Sequence, residues 1–547
     1  QRGPRRAAVV GRLFPRQHLV PISDLSAGDL DLALDRLVEA DLVLRRGFGQ
    51  RSRFLFRHAL IQDAAYNSLL RRHRRQLHAR LAEALEREGQ TAPEVLAHHL
   101  ARAGLPERAI PFWQQAGEAA FMASANREAV DHFRQALDAL KDLPAGRERT
   151  LLEMDLLTRV GRSLSGVEGY SSPAVLEAYE RAGALAAEFD DEPGLAQITW
   201  GLWAFHIVRS DIPAALNDAR QLLRLTEGSD DPTARLVAQS SVGNALYFGG
   251  DLETAREHSE AAMEEHDAWP DRVIETPNPQ DLGVLAPLIL ALAAWHLGDG
   301  EAAERALDDA LALAEDLEHS YSQVLAASYG ARLHQSRRDV DETRRLADEV
   351  VRLSEERGFF WITQGWFFSS CALAQEAWDH ARENDEAPDL DVLDEAVDGI
   401  VRGIEAYRRT GAGLSVSYML AQLVEVHLWR GDLDAARGHL AEAREAAGPG
   451  REGFWRPELD RLDGEIAWAA GDKEAAERFG RAAADAATEA GDLALGLRAA
   501  LSLARWAIAD DRTDEAADLL AVALGPFDAF AEDGDQREAR RLFSGLI

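Results

Sequence analysis

The sequence predicts a mostly α chain built by repeating one helical pair, and three observations predict it. First, polar turns return through the chain: Ser210-Asp211, Gly250-Asp251, Gly298-Asp299, Arg338-Asp339, Gly431-Asp432, Gly471-Asp472 and Asp510-Asp511. Their second residues are spaced by 40, 48, 40, 93, 40 and 39 positions, 93 being two units plus a short insertion. A fixed period of this size marks a solenoid, in which each helical pair buries its apolar face on its neighbours. Second, Ala, Leu, Glu and Arg dominate the composition, and all are good helix formers. Third, a small residue recurs just after six of these seven turns, at Ala215, Ala255, Ala303, Ala436, Ala475 and Ala516, where two helices must approach closely.

Residues 1–57 read differently. A helix at Ala8–Leu13 and another near Gln17–Leu19 precede a third at Asp29–Ala40, which carries Leu30, Ala33, Leu34, Leu37 and Val38 at helical spacing. Leu42–Arg46 and Arg53–Arg57 alternate around Gly47-Phe48-Gly49-Gln50, the pattern of a β-hairpin. Three helices and a hairpin make a small winged-helix domain. Residues 58–105 form a helical linker: Ala59–Leu70, Arg74–Glu88 and Pro93–Ala103, the last with proline in its first turn.

Residues 106–547 form the array with a capping helix. Trp113, Gly117, Ala129, Phe133 and Ala136 take positions 4, 8, 20, 24 and 27 of a tetratricopeptide-like unit. Position 24 of later units is Leu307, Leu440, Phe479 and Leu520. Thr343 weakens the fit of one unit, and Gly464 stands one residue too close to Ala475 in another. Asp267–Gly283, with Pro270, Pro277 and Pro279, interrupts the helices. Glu383–Asp391 reads as an acidic loop, and Phe527–Ile547 as the cap.

At 547 residues the chain exceeds one ordinary core. Its net charge of −34 is uneven. Residues 1–110 hold 19 arginines against 12 carboxylates, a net of +7, so the rest carries −41. An acidic array repels phosphates, so nucleic acid is not the expected partner. Cys371 is the sole cysteine, which excludes an intrachain disulfide and a multi-cysteine metal site. The longest apolar run, Val284–Leu297, is too short to span a bilayer. No signal peptide is visible, so a cytoplasmic location and no membrane partner are expected. The chain begins at Gln1 without an initiator Met, which suggests a piece of a longer protein.

Motifs for catalysis are missing. A phosphate-binding loop needs Gly-Lys before Ser or Thr, but the two lysines, Lys141 and Lys473, follow Leu140 and Asp472. No Gly-x-Ser-x-Gly and no dinucleotide fingerprint occurs, so the chain is not expected to be an enzyme or to hold a cofactor. His98-His99 are adjacent and diverge around a helix, a poor metal pair, so no metal is expected either. Arg71-Arg72-His73-Arg74-Arg75 is the sharpest basic cluster, and its four arginines fit either a phosphate contact or docking on an acidic partner domain. Trp200, Trp203, Tyr247, Trp295, Trp361, Trp366, Trp429 and Trp468 are spread through the array as seam fillers or as lining of a ligand groove. With Gly243 at position 8, Asn244 and Tyr247 fall at 9 and 12, on the helix facing the concave side. Arg332 and Gln335 fall at the same places in a later unit. These four are the candidate contacts for a protein or peptide on the concave face, since an amide such as Asn244 can both donate to and accept from a peptide group.

Several linked stretches resemble one family. Ala7-Ala8-Val9-Val10-Gly11-Arg12-Leu13-Phe14 resembles the AAVIGR-x-F opening of the winged helix in bacterial signalling ATPases of the STAND type. Arg53 to Tyr66, with Leu77-His78, is similar to their F-x-HALIQDAAY…LH segment. Gly169-Tyr170 with Pro173, Tyr179 and Ala182 resembles a GY-x-x-P…AY-x-RA element. Asp281, Gly283 and Val284 with Trp295, Leu297 and Gly298 resemble a DPGV…LW-x-LG repeat, with Leu282 in place of its proline. The resemblance implies an order of effector, ATPase, winged helix and tetratricopeptide-like array. The effector is often a class III adenylate or guanylate cyclase, elsewhere a kinase or a DNA-binding module. This chain would follow the ATPase, regulate it and its effector by binding a partner or ligand, and leave ATP or ADP with Mg to the missing domain. His58 would lie near the nucleotide phosphates. The alternative is a winged-helix transcription regulator, but the third helix offers only Arg36 among Asp29, Asp31, Asp35 and Glu39, a poor reader of DNA grooves.

Overall fold

The computed structural model describes residues 3–47, 52–123, 125–187, 192–268, 281–527 and 532–547. They divide into two units, Gln1–Val167 with Arg181–Phe189, and Glu168–Glu180 with Asp190–Ile547. The Gly47–Gln50 turn beyond Gly47, and most of the proline-rich interruption, lie outside the described residues.

Unit 1 begins with α1 (Gly3–Val10), β1 (Leu13–Pro15), α2 (Arg16–Leu19), α3 (Ala27–Glu39), β2 (Val43–Arg46) and β3 (Arg53–Phe56). The expected hairpin is there, with Val43 opposite Phe56, but β1 adds a third antiparallel strand in the order β1-β3-β2. Leu13 therefore belongs to a strand, not to the end of the first helix. Gly11 at φ +139 ends the helical path, and Phe14 then pairs with Phe54. Phe14, Phe54 and Phe56 are all buried, with the Phe14 and Phe54 rings stacked at 5.7 Å. Next come α4 (Ala59–Asn67), α5 (Arg71–Glu88), α6 (Pro93–Ala103), α7 (Pro106–Met122), α8 (Asn126–Leu140) and α9 (Arg147–Glu168). The close α7–α8 approach needs glycine, because a Cβ on Gly117 would stand 2.5 Å from the Phe133 ring.

The antiparallel helices continue through α10 (Pro173–Ala186), in which the unit boundary falls, to α11 (Glu192–Val208), α12 (Ile212–Thr226), α13 (Pro232–Gly249), α14 (Leu252–Asp267), α15 (Leu282–His296), α16 (Gly300–Asp316), α17 (Ser320–Ser336) and α18 (Val340–Arg357). After them come α19 (Ile362–Asn384), α20 (Leu390–Arg409), α21 (Val416–Trp429), α22 (Leu433–Ala446), α23 (Arg456–Ala469), α24 (Lys473–Ala490), α25 (Leu493–Ala509), α26 (Thr513–Leu524) and α27 (Gly534–Leu546). The repeated turn has one mechanism. A residue at positive φ, such as Gly250 at 91° or Gly431 at 75°, ends one helix, and the aspartate after it caps the next. Asp211, Asp251, Asp299, Asp339, Asp432 and Asp472 each accept from the backbone N–H three residues on. The last turn is shifted: Asp511 takes the positive φ and Arg512 the cap position.

One register also moves. Ala476, fully buried, faces Gly464, while Ala475 keeps some exposure and Phe479 is only half-buried. A Cβ on Gly464 would meet the Trp506 ring at 2.7 Å, so Trp506 fills the seam assigned to Phe479. Thr343 is fully buried and satisfies its hydroxyl on the Asp339 carbonyl.

Within unit 2 the superhelix touches itself, because segments 196 to 242 residues apart meet. Gly413 N–H donates to Val208 O (2.8 Å), Gly453 N–H to Phe248 O (2.7 Å) and Gly534 N–H to Arg337 O (2.9 Å). Inside this closure lies a buried ionic knot. Arg338 pairs with Glu425 (2.7 Å) and Asp535 (3.0 Å), Arg461 with Glu458 (2.7 Å) and Glu425 (3.0 Å), and Arg498 with Asp535 (2.7 Å). Burial alone would raise the Glu425 pKa, but Arg338 and Arg461 hold it at about 2.

Among the described residues, no helix is long and apolar enough to cross a membrane. No group of three or more His, Cys, Asp or Glu side chains among them is placed to hold a metal ion.

Candidate functional site: an aromatic cavity in unit 2

Inner helices of a closed superhelix leave space only where large side chains fail to interdigitate. That happens beside α17, most of whose residues are buried. A cavity of about 110 Å³ lies among residues of α11, α13, α15, α17, α19, α20 and α21 and the Gly169–Ser171 turn. Nine of its 24 lining residues are aromatic, including Trp203, Tyr321, Tyr329, Trp361 and Tyr418. Burial pushes the Tyr321, Tyr407 and Tyr418 phenols above their usual range, so they stay neutral hydroxyls.

Among the described lining residues Arg332 is the one charged side chain, and it is 6% exposed. Its Nη1 donates to Ser415 Oγ (2.9 Å) and its Nη2 to the Tyr247 hydroxyl oxygen (3.3 Å). The guanidinium also stands 4.7 Å from the Phe454 ring centroid and 4.8 Å from that of Tyr418. Ser415 sits at φ +64, a strained position for a residue with a Cβ. The buried Glu452 holds it there by accepting the Ser415 and Ser417 backbone N–H groups, the second at 2.8 Å. Burial raises the Glu452 pKa.

Behind Arg332 runs a buried relay. The Tyr247 hydroxyl lies 3.4 Å from His296 Nε2, and His296 Nδ1 lies 2.7 Å from Asp492 Oδ2. Asp492 Oδ1 meanwhile caps α25 by accepting from Leu495 N–H (2.9 Å). The relay thus joins the cavity wall to a helix start in a distant repeat.

The four concave-face candidates separate into two layers. Asn244 and Arg332 line the cavity. Tyr247 is 1% exposed and lies one step behind, on Arg332 and His296. Gln335 is also behind, donating to Gln422 and accepting from the Tyr418 hydroxyl. Among the described residues the lining contains no carboxylate, so the cavity is not the acidic groove that the net charge of the array suggests. Nor do the described lining residues include His, Cys or Lys. Sequence reasoning missed Tyr321, Ser415 and Glu452. No period marks them, and only Trp203 and Trp361 stood out, as aromatics of the array.

The unit 1 candidates lie elsewhere. His58 is exposed at the start of α4, with no capping bond from its side chain. Arg71, Arg72 and Arg75 are exposed, whereas Arg74 covers the Tyr66 ring at 4.9 Å. Leu60 and Leu70 beside them are each 80% exposed.

No protein-family model matches the chain. An uncharacterized protein of Rhizobium meliloti (strain 1021) is 25% identical over 515 residues, which cover 91% of this chain and 48% of that protein. The chain therefore spans about half the length of that relative. Among solved structures, the Rap protein complexed with competence and sporulation factor aligns with 14% identity and a TM-score of 0.51, over 70% of this chain and 98% of that one. A STAND protein with a tetratricopeptide repeat sensor from Pyrococcus horikoshii aligns with 11% identity and a TM-score of 0.33, over 68% of this chain and 59% of that one. The likeness to the Rap protein shows the fold, a tetratricopeptide-like helical solenoid.

Proposed function

We propose that this chain is a non-catalytic sensor and interaction module that regulates a signalling ATPase and its effector, of the adenylate cyclase-like kind. Unit 2 binds the signal in its aromatic cavity, and the start of unit 1, read as a winged helix, docks the ATPase. The observation that carries the reading is the cavity: a concave aromatic space with a few polar groups is what a small-ligand site requires. The exposed Leu60 and Leu70 beside His58, Arg71 and Arg72 support a docking role for residues 58–75. Nucleotide and Mg belong in this reading to the ATPase, with His58 facing the phosphates, and nucleic acid is not a partner. Along α3, Asp31 and Asp35 already pair with Arg16 and Arg45, leaving an acidic helix that suits no DNA groove.

The test is a pull-down of the cognate ATPase–effector fragment by this chain with ADP or ATP. Nucleotide-dependent association that weakens in His58→Ala and Arg72→Glu is expected. Equal association in all nucleotide states, or none, contradicts the regulatory role.

A further inference from the structure

Resting on the cavity as the sensor's ligand site, we infer that its ligand is a small organic carboxylate with an aromatic body, bound at Arg332. Arg332 is 6% exposed, and none of the described residues places a carboxylate at ion-pair distance from it. Glu452 feels the Arg332 charge but does not pair with it. A buried cation without a paired anion is costly, and aromatic faces offset only part of that cost. Glu452, the acid nearest along the hydrogen bonds, is committed to the Ser415 and Ser417 amides. Among the described residues, three of the five Arg332 N–H groups have no acceptor, and a planar fork with free donors matches a carboxylate.

One further lining group asks for a ligand. Among the described residues the Trp203 indole N–H has no hydrogen-bond partner, although Trp203 is 2% exposed. Buried polar atoms are seldom left so. The Asn244 amide, by contrast, engages Tyr329, and the Trp361 indole engages Tyr321. Trp203 supplies another donor to an anion. The aromatic lining excludes a bare inorganic anion as the best fit, and a single cation excludes a polyphosphate. A space of about 110 Å³ is several times the ~10–15 Å³ that one water needs, so the ligand is small. The carboxylate belongs either to a free acid or to the end of a peptide.

The experiment is calorimetric titration of the full chain with 3-phenyllactate, its uncharged amide and phenethylamine. A second arm uses a phenylalanine-ended tripeptide with a free or amidated C-terminus. The expected result is binding of the acids at least about 10-fold tighter than their amides, as a charge-assisted hydrogen bond gives. Arg332→Gln should abolish that preference, Arg332→Lys should restore part of it, and Trp203→Phe should weaken the acid several-fold. If Arg332→Gln fails to fold, the acid-to-amide ratios of the native chain and Trp203→Phe decide. Tighter binding of phenyllactate than of the tripeptide acid names a free acid as the source; the reverse names a peptide end. Amides that bind as well as acids overturn the anion inference and leave the cavity as a site. No binding of acid, amide or amine at millimolar concentration overturns both.

Discussion

Arg332 and Arg461 are both almost fully buried in unit 2, yet their surroundings are opposite. Arg461 meets Glu458, Glu425 and Glu465 within 3.0 Å, whereas Arg332 meets a serine, a tyrosine and aromatic faces. Arg332 meets Ser415 and Tyr247, 83 and 85 positions away, and Arg461 shares Glu425 with Arg338, 87 positions from that carboxylate. Both thus lie by contacts between separated repeats, and closure alone does not explain the difference. Where the interior is structural, each buried cation has its anions; where an anion is left out, space is left out too. The contrast separates the knot that holds the superhelix closed from the wall that receives a ligand.

The contrast can be broken most forcefully at the knot. Glu425→Ala leaves Arg338 and Arg461 without their shared carboxylate, and unit 2 should lose about 3–5 kcal/mol in urea unfolding. A loss under 1 kcal/mol would make the knot a passive feature.

Acid separates the two units next. In unit 1, His78 Nδ1 lies 2.9 Å from His99 Nδ1, and His78 Nε2 lies 3.0 Å from the Tyr66 hydroxyl. Burial, then the neighbouring histidines, pushes the His78 pKa down to about 3 and that of His99 to about 4. The unfolded chain therefore takes up protons first, near 6.5, and stability present above that pH is lost as pH falls towards 3–4. In unit 2, Glu425 titrates at about 2 when folded and near 4.5 when unfolded, so its contribution is lost only below about pH 4.5. Burial and His439 push His427 of unit 2 down to about 4 as well. Hydrogen exchange at pH 5 should therefore show unit 1 amides, with two such histidines, opening more readily than at pH 7, and a smaller loss in unit 2. Equal loss in both units would contradict this assignment.

Smaller effects sharpen the register. Gly464→Ala should cost about 1–3 kcal/mol, because its Cβ would press on Trp506 and the Ala476 carbonyl. Gly438→Ala, on α22 with nothing near its Cβ, should stabilise by up to about 1 kcal/mol. Thermal melts of both variants check the pair, and a harmless Gly464→Ala would restore the register through Ala475 and Phe479.

The turns show how much of the fold was legible. Gly-Asp carries its own mechanism, a left-handed residue and a cap, so the repeat could be read locally. Gly491-Asp492 uses the same chemistry between α24 and α25, outside the main period, and was not singled out. β1 was hidden because Leu13 and Phe14 are strand residues only once Phe54 lies beside them. Asn244 and Arg332 could be found because equivalent repeat positions face the same way. Ser415 and Glu452 could not, since they reach the cavity wall through contacts across the closed superhelix that leave no periodic trace.

The central claim is that Arg332 serves a ligand and Arg461 serves the fold. Urea unfolding of Arg332→Met and Arg461→Met, without added ligand, tests it most directly. The account predicts that Arg332→Met stays within about 1 kcal/mol of the parent, while Arg461→Met loses about 3–5 kcal/mol by stranding its carboxylates. Equal, large losses in both would contradict it, and would make Arg332 one more strut of the closed superhelix.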